Sequence, residues 1–281
     1  MYDLHLHSTY SDGDLLPEQL IEEAVRRGVT GVSLTDHNGL WGVVMAEQYA
    51  QSLGAPFIAG IEITALHQTT DVHILGYSRA FEISIINGGL GPTRAGYAAR
   101  IQQMVQQCHA AGYEKVRFES IVSSRAGQPE PSYISYDVTK QLIEKQGLSR
   151  DEARQLTIKG GACYVPYGSW AATPVAIVSL LHQANAIAIL AHPGTIVYEA
   201  GEKALQELLK TLVENGLDGI EVYHPFHSPD LIKQLEEFVL EHNLLVSGGS
   251  DWHGPGRFHD KDFGKVGLSE PQFQKLLQGL P

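Results

Sequence analysis

The sequence predicts an α/β fold built on a mostly parallel, barrel-forming sheet, and three observations carry that prediction. Short apolar runs alternate with stretches of helical periodicity, the pattern of successive βαβ units. Seven of these runs carry polar, metal-capable residues at or near their C-terminal ends, where a parallel barrel assembles its active site. The first run holds His5-Leu6-His7. On an extended segment His5 and His7 point to one face while Leu4 and Leu6 point to the other, so two imidazoles can grip one ion as the leucines enter a core. Taken alone, that pair could equally be two surface histidines, and the rest of the chain decides.

Taken in order, the elements support the alternation. Residues 17–27 place Leu20, Ile21, Ala24 and Val25 on one helical face and stop at Gly28. The strand candidate Gly31-Val32-Ser33-Leu34 leads into Thr35-Asp36-His37, and residues 41–53 form a second helical pattern ending at Gly54. Gly60-Ile61-Glu62-Ile63-Thr64 and Val72-His73-Ile74-Leu75-Gly76 follow as strands. Late in the chain the pattern resumes with Ala188-Ile189-Leu190-Ala191-His192-Pro193-Gly194. A helix over 202–215, Gly219-Ile220-Glu221-Val222-Tyr223, and a helix over 228–243 come next, with Ser228 as N-cap and Pro229 behind it. The last strand, from Leu245 to Gly248, runs into Ser250-Asp251-Trp252-His253-Gly254.

Between residues 82 and 162 the alternation lapses. Helical spacing appears over 92–111, with Ile101, Met104, Val105 and Cys108 in register, and again over 136–145. Ser149 and Glu152 have capping-box spacing and open a third short helix before Gly160-Gly161. Residues 123–132 read as loop. The expected organisation is a barrel domain formed by 1–81 and 163–281, with a small, mainly helical insertion over 82–162.

Composition bounds the partners. A formal net charge of −12, from 32 acidic against 20 basic residues, disfavours a long nucleic-acid ligand, and the Tyr and Trp residues show no regular stacking pattern. A small phosphorylated substrate is compatible, because bound metal would reverse the local sign. Cys108 and Cys163 are too few for a disulfide framework. Nothing resembles a targeting segment, and removal of a leader would delete His5 and His7. No apolar run approaches the ~20 residues of a membrane span. A cytoplasmic protein without membrane contact is expected, and its oligomeric state is not readable.

In order and spacing, His5-Leu6-His7-Ser8, Ser11-Asp12-Gly13, Thr35-Asp36-His37, Glu62, His73, Ala191-His192-Pro193-Gly194 and Ser250-Asp251-Trp252-His253-Gly254 resemble the motifs of the PHP (polymerase and histidinol phosphatase) family. The resemblance covers residues 1 to about 80 and about 165 to 270. It implies a distorted seven-stranded β/α barrel, TIM-like, with two or three divalent ions. One ion would take His5, His7, Glu62 and Asp251; a second would share Glu62 and add His73 and His192; a third would take Asp12, His37 and His253. Asp36 would support rather than ligate. Mixed imidazole and carboxylate donors suit zinc, manganese or iron. A hydroxide bridging two such ions attacks phosphorus without a side-chain nucleophile. Glu62, Asp251 and His227 are the expected catalytic residues. His227 and, more weakly, His224 lie after the Glu221 strand as candidates for contacting phosphate or the leaving group, and Glu221 would orient a ligand imidazole.

The resemblance also implies that the insertion caps the barrel mouth, as in the branch acting on nucleotides and other small phosphates. This chain departs from that branch by carrying Gly127-Gln128-Pro129-Glu130-Pro131 in place of an Arg-Pro-His-like segment. Arg125 and Arg257 are the remaining candidate substrate contacts, since a guanidinium matches phosphate oxygens. The expected activity is hydrolysis of a small phosphomonoester or nucleotide phosphate, such as a nucleoside 3′,5′-bisphosphate. The alternatives are a phosphodiesterase acting on a small cyclic phosphate or short oligonucleotides, and a catalytically silent metal-binding module.

Overall fold

A computed structural model describes residues 1–125, 128 and 132–281; most of the Gly127–Pro131 segment singled out above lies outside the described residues. The elements run β1 (Tyr2–Asp3), α1 (Pro17–Arg26), β2 (Gly31–Leu34), α2 (Val43–Ser52), β3 (Phe57–His67), β4 (Thr70–Ser78), α3 (Ile83–Ala110), α4 (Phe118–Ser124), α5 (Ser135–Gln146), α6 (Arg150–Thr157), α7 (Pro174–Gln183), β5 (Ile187–Leu190), α8 (Pro193–Ala200), α9 (Glu202–Glu214), β6 (Gly219–Tyr223), α10 (Pro229–Glu241), β7 (Leu245–Gly248) and α11 (Glu270–Gly279). They divide into two compact units, residues 1–89 with 172–281, and residues 90–171. Both edges of the second unit fall later in the chain than the lapse in alternation suggests. One reason is α3, which begins nine residues before Pro92 and carries that proline inside it. Read from sequence, Pro92 marks a helix start, because its missing N–H is harmless in the first turn.

The seven strands follow chain order around one sheet. The ring closes where the chain after β1 meets the chain after β7. The Leu4 N–H donates to the Gly248 carbonyl at 3.1 Å and the His7 N–H to the Trp252 carbonyl at 3.0 Å, and Leu6 bridges Trp252 in parallel. A side chain at Gly249 would meet the backbone of His5 at 2.5 Å, so the seam needs a glycine there. Inside the ring Leu4, Leu75, Tyr77 and Ile189 form one apolar cluster. Outside, Leu20, Ile21 and Ala24 of α1 pack on Val32 and Leu34 of β2, as the helical spacing of 17–27 requires.

One strand corrects the reading of a ligand at every C-terminal end. β4 pairs antiparallel with both β3 and β5, because β3 turns straight into β4 with no intervening helix. His73 therefore sits near the start of β4, opposite Thr64 of β3. The reversal of direction puts the start of this strand beside the ends of its neighbours. His73 reaches the same rim by the opposite route.

The unit of residues 90–171 has its own core, in which Ile101, Met104 and Cys108 of α3 meet Val138 and Leu142 of α5 and Ala153 of α6. α6 opens with the full capping box: Ser149 Oγ accepts from the Glu152 N–H at 3.3 Å, and the Glu152 carboxylate accepts from the Ser149 N–H at 2.8 Å. Cys108 and Cys163 are buried free thiols. Among the described residues no helix is long and apolar enough to cross a membrane.

Leu20 is fully buried in the cluster that holds Val32 and Leu34 of β2, and it is not a candidate ligand. Leu20→Ala should lower stability by about 3 kcal/mol in urea unfolding while leaving metal content unchanged; a loss under about 1 kcal/mol would contradict this packing.

Candidate metal centre

At one rim of the barrel, side chains from six strands or their following loops converge on Glu62. Its position is fixed by a parallel bridge between His37 and Glu62 and by the Asn38 N–H donating to the Glu62 carbonyl at 2.8 Å. The carboxylate is 1% exposed and faces five imidazoles. Oε2 lies 3.3 Å from His5 Nε2, 3.2 Å from His7 Nε2 and 3.2 Å from His37 Nδ1. Oε1 lies 2.7 Å from His73 Nδ1 and 2.9 Å from His192 Nε2. Asp251 Oδ1 completes one side, 3.4 Å from His5 Nε2 and 3.1 Å from His7 Nε2. A third group forms around Asp12, whose Oδ2 is 3.2 Å from His253 Nε2 and whose Oδ1 is 3.7 Å from His37 Nε2 and from His7 Nδ1.

The donor atoms fit divalent ions. His5 Nε2, His7 Nε2, His37 Nδ1, Glu62 Oε2 and Asp12 Oδ1 are buried and have no hydrogen-bond partner. Buried polar atoms are almost always satisfied, and five orphans aimed at shared points mark ligands rather than a hydrogen-bond network. Among the described residues, four groups have ligand atoms close enough to share an ion: His5, His7, Glu62 and Asp251; His37, Glu62 and His73; His7, Asp12, His37 and His253; and His224, Asp251 and His259, which no motif assigns. His37 thus stands between the second and third groups, where the motif resemblance assigns it to the third alone.

Ring tautomers are fixed from behind. Glu221 accepts from His5 Nδ1 at 2.9 Å, which leaves the Nε2 lone pair facing the centre, and its other oxygen accepts the His192 N–H at 2.7 Å. Thr195 Oγ1 donates to the His192 carbonyl and so accepts from His192 Nδ1. His253 Nδ1 donates to the Asp251 carbonyl at 2.8 Å. Asp36 accepts from the Ser8 N–H, Ser8 Oγ and Ser11 Oγ, bracing the loop that carries His7 and Asp12. Asp3 accepts from the Ser250 N–H across the seam at 2.9 Å, a supporting role that no motif announces. His192 at φ 25° and Asp251 at φ 53° adopt the left-handed backbone region without being glycine. Such strain is held only where surrounding structure enforces it, here to aim two candidate ligands.

The electrostatics are strongly coupled. Burial opposes charge on His5 and His7, yet neighbouring carboxylates hold His5 well above its ordinary range and His7 up to about 10. Burial would raise Glu62, Asp12 and Asp251, but the surrounding imidazoles keep all three well below the carboxylate range. His37 is pushed down to about 4 by burial, against the pull of Glu62 and Asp12.

The expected substrate contacts are placed differently from one another. Arg257 Nη1 donates to the Asp12 carbonyl at 3.0 Å, and lies 3.4 Å from Asp14 Oδ1. Arg125 belongs to the second unit, where it is buried and donates to Asp137 at 2.7 Å. His227 has both ring nitrogens engaged: Nδ1 donates to the Val222 carbonyl at 2.8 Å, and Nε2 accepts from the Gly194 N–H at 3.1 Å.

A barrel rim with bridged carboxylate and imidazole clusters defines a metal-dependent hydrolase of the α/β class. The family model described as PHP domain matches residues 3–224, and the chain belongs to that family. It is 31% identical to a 3′,5′-nucleoside bisphosphate phosphatase of Chromobacterium violaceum, over 90% of this chain and 87% of that protein. It is 30% identical to a phosphoribosyl 1,2-cyclic phosphate 1,2-diphosphodiesterase of Eggerthella lenta, over 90% and 94%, and 30% identical to the 5′-3′ exoribonuclease Rnm of Escherichia coli, over 91% and 86%. A structure named as a metal-dependent phosphoesterase, from Bifidobacterium adolescentis, superposes with a TM-score of 0.87 at 25% identity, covering 99% of this chain and 95% of that one.

Because Glu221 orients two candidate ligands, Glu221→Gln should weaken metal binding about 10- to 100-fold in chelator competition, with the fold intact by circular dichroism. Metal loading at pH 7 should also release protons, since His7 in the metal-free protein keeps its proton up to about pH 10 and must lose it to ligate. Calorimetry in buffers of different ionisation enthalpy reads that release, and a buffer-independent enthalpy would count against it.

Proposed function

We propose that the chain hydrolyses a phosphate monoester on a small phosphorylated substrate, with a nucleoside 3′,5′-bisphosphate as the leading class. The observation that carries this reading is the divided environment of Glu62, with Oε1 toward His73 and His192 and Oε2 toward His5, His7 and His37. One carboxylate placed this way serves two ions at once. Two adjacent divalent ions of zinc, manganese or iron type would supply a nucleophile from water at neutral pH and neutralise charge on the phosphoryl oxygens. His5, His7 and Asp251 would hold one ion with Glu62, and His73 and His192 the other. Asp12, His37 and His253 would hold a third, with His37 Nδ1 also within reach of Glu62 Oε2. Glu221 and Asp36 fix geometry, and Arg257 ties the Asp12 loop to the segment after β7. The unit of residues 90–171 would contribute to substrate selection. The buried thiols Cys108 and Cys163 accord with a reducing cytoplasm.

A second reading is supported by the relatives named as a cyclic-phosphate diphosphodiesterase and an exoribonuclease, at nearly the same identity as the phosphatase. The exoribonuclease runs against the expectation of no long nucleic acid. The charge of −12 favours a short oligonucleotide over a long strand in that case.

The test is hydrolysis by the Mn²⁺-reconstituted protein, read as phosphate release from nucleoside monophosphates, 3′,5′-bisphosphates and sugar phosphates and as chromatographic product formation from cyclic diesters and short oligonucleotides, with His7→Ala as control. Release from bisphosphates that His7→Ala abolishes is expected; preferential cleavage of diesters would select the second reading. Glu62→Gln should cost at least about 100-fold in kcat, because it weakens both ion sites together. Asp12→Asn should lower metal stoichiometry by one ion while leaving two, and full stoichiometry would displace the third site from Asp12.

A further inference from the structure

The loops after β6 and β7 carry an array of rings outside the three ion sites proposed above, although His224 and His259 also have ligand atoms close to Asp251. His224 lies 5.4 Å, ring to ring, from His192, and its Nε2 is 3.6 Å from Asp251 Oδ2. Phe226 stacks beyond it, 6.2 Å away at 19°. Phe258 stacks on Phe226 in turn, at 5.7 Å and 28°. Phe226 is 41% exposed and Phe258 73% exposed, so the array runs from a candidate ligand outward to solvent. The buried ring of His259 stands edge-on to both phenylalanines, at 5.8 Å and 4.7 Å, and fixes their orientation. A single exposed phenylalanine needs no explanation. Two stacked and braced ones beside a buried ion cluster do, because exposed aromatic area is recovered only when a ligand covers it.

A second observation points to the same place. The Phe226 N–H donates to His224 Nδ1 at 3.1 Å, so Nδ1 is an acceptor and the ring proton is on Nε2. That Nε2–H is buried and has no hydrogen-bond partner, and Nε2 lies 3.6 Å from Asp251 Oδ2. His227 has no such donor to offer, since its Nε2 already accepts from the Gly194 N–H. The loop therefore presents one donor to a ligand, and it comes from His224.

We propose that Phe226 and Phe258 are a platform for the nucleobase of the substrate, with His224 Nε2–H donating to a phosphate or sugar oxygen between that base and the ions. The inference rests on the nucleotide reading of the metal centre and names the subsite that would make it selective. A base fits this surface because each has a flat π-face, and stacking on aromatic side chains tolerates any base. Specificity for nucleotides over other phosphate esters, without strong preference among bases, is the functional result.

The test separates the subsite from the reaction. Binding of adenosine 5′-phosphorothioate and of inorganic thiophosphate to the Mn²⁺-loaded protein is measured by calorimetry for the wild type, Phe226→Ala/Phe258→Ala, Phe258→Trp and His224→Ala. The wild type should prefer the nucleotide by about ten-fold to a hundred-fold. The double variant should lose that preference while binding thiophosphate normally, and Phe258→Trp should keep it. His224→Ala should weaken nucleotide binding with unchanged metal content. A wild type without preference, or a double variant that retains it, overturns the inference whether or not the protein releases phosphate. A preference that disappears in the double variant of a protein that cleaves no nucleotide in the panel would uphold the subsite and remove the proposed reaction.

Discussion

Everything at the barrel rim depends on one buried carboxylate held among imidazoles. Glu62 has almost no contact with water, and a lone charge in that position would cost several kcal/mol. Burial pulls against its ionised state, which is maintained by the positively charged imidazoles of His73 and His5. The same relation holds in reverse for His5, whose proton is retained through Glu221, Glu62 and Asp251. In the metal-free protein these groups compensate one another, and divalent ions would take over that role when they displace the protons. The centre is therefore a charge-balanced cluster before it is a catalytic one.

The barrel supplies what such a cluster needs, namely ligands from many strands at one level. Parallel strands achieve this with their C-terminal ends. β4 achieves it by running the other way, which lets β3 and β4 contribute Glu62 and His73 from a single hairpin. Behind the ligands, Glu221, Asp36 and Asp3 pin backbone and ring orientation, so that the imidazoles have little freedom to lose on binding an ion.

The sequence made the donors legible because metal chemistry restricts residue type and extended geometry restricts spacing. His5 and His7, at i and i+2 with Leu6 between, stand out as a candidate donor pair from spacing alone, while Leu4 and Leu6, expected on one face, enter different clusters in the fold. The direction of β4 was not legible, because a tight connection and a long loop look alike when neither is rich in glycine or proline; Gln68 and Thr69 gave no turn signal. The start of α3 was hidden by Gly88, Gly89 and Pro92, which locally oppose a helix that the fold nevertheless forms. The difference between His224 and His227 was beyond sequence altogether. It depends on which ring nitrogen meets a backbone N–H, and only the folded chain brings Phe226 N and Gly194 N to those rings.

The seam between the first and last strands has a consequence of another kind. His5 and His7 lie on one lip, Asp251 and His253 on the other, and the lips are joined by backbone bonds from Leu4, His7 and Asp14, by Asp3 accepting from Ser250 and by the packing of Leu6 with Trp252. An ion gripped by His5, His7 and Asp251 would act as a rivet across the joint, adding its binding free energy to barrel closure. Metal supply would then bear on how long the folded molecule survives as well as on how fast it works.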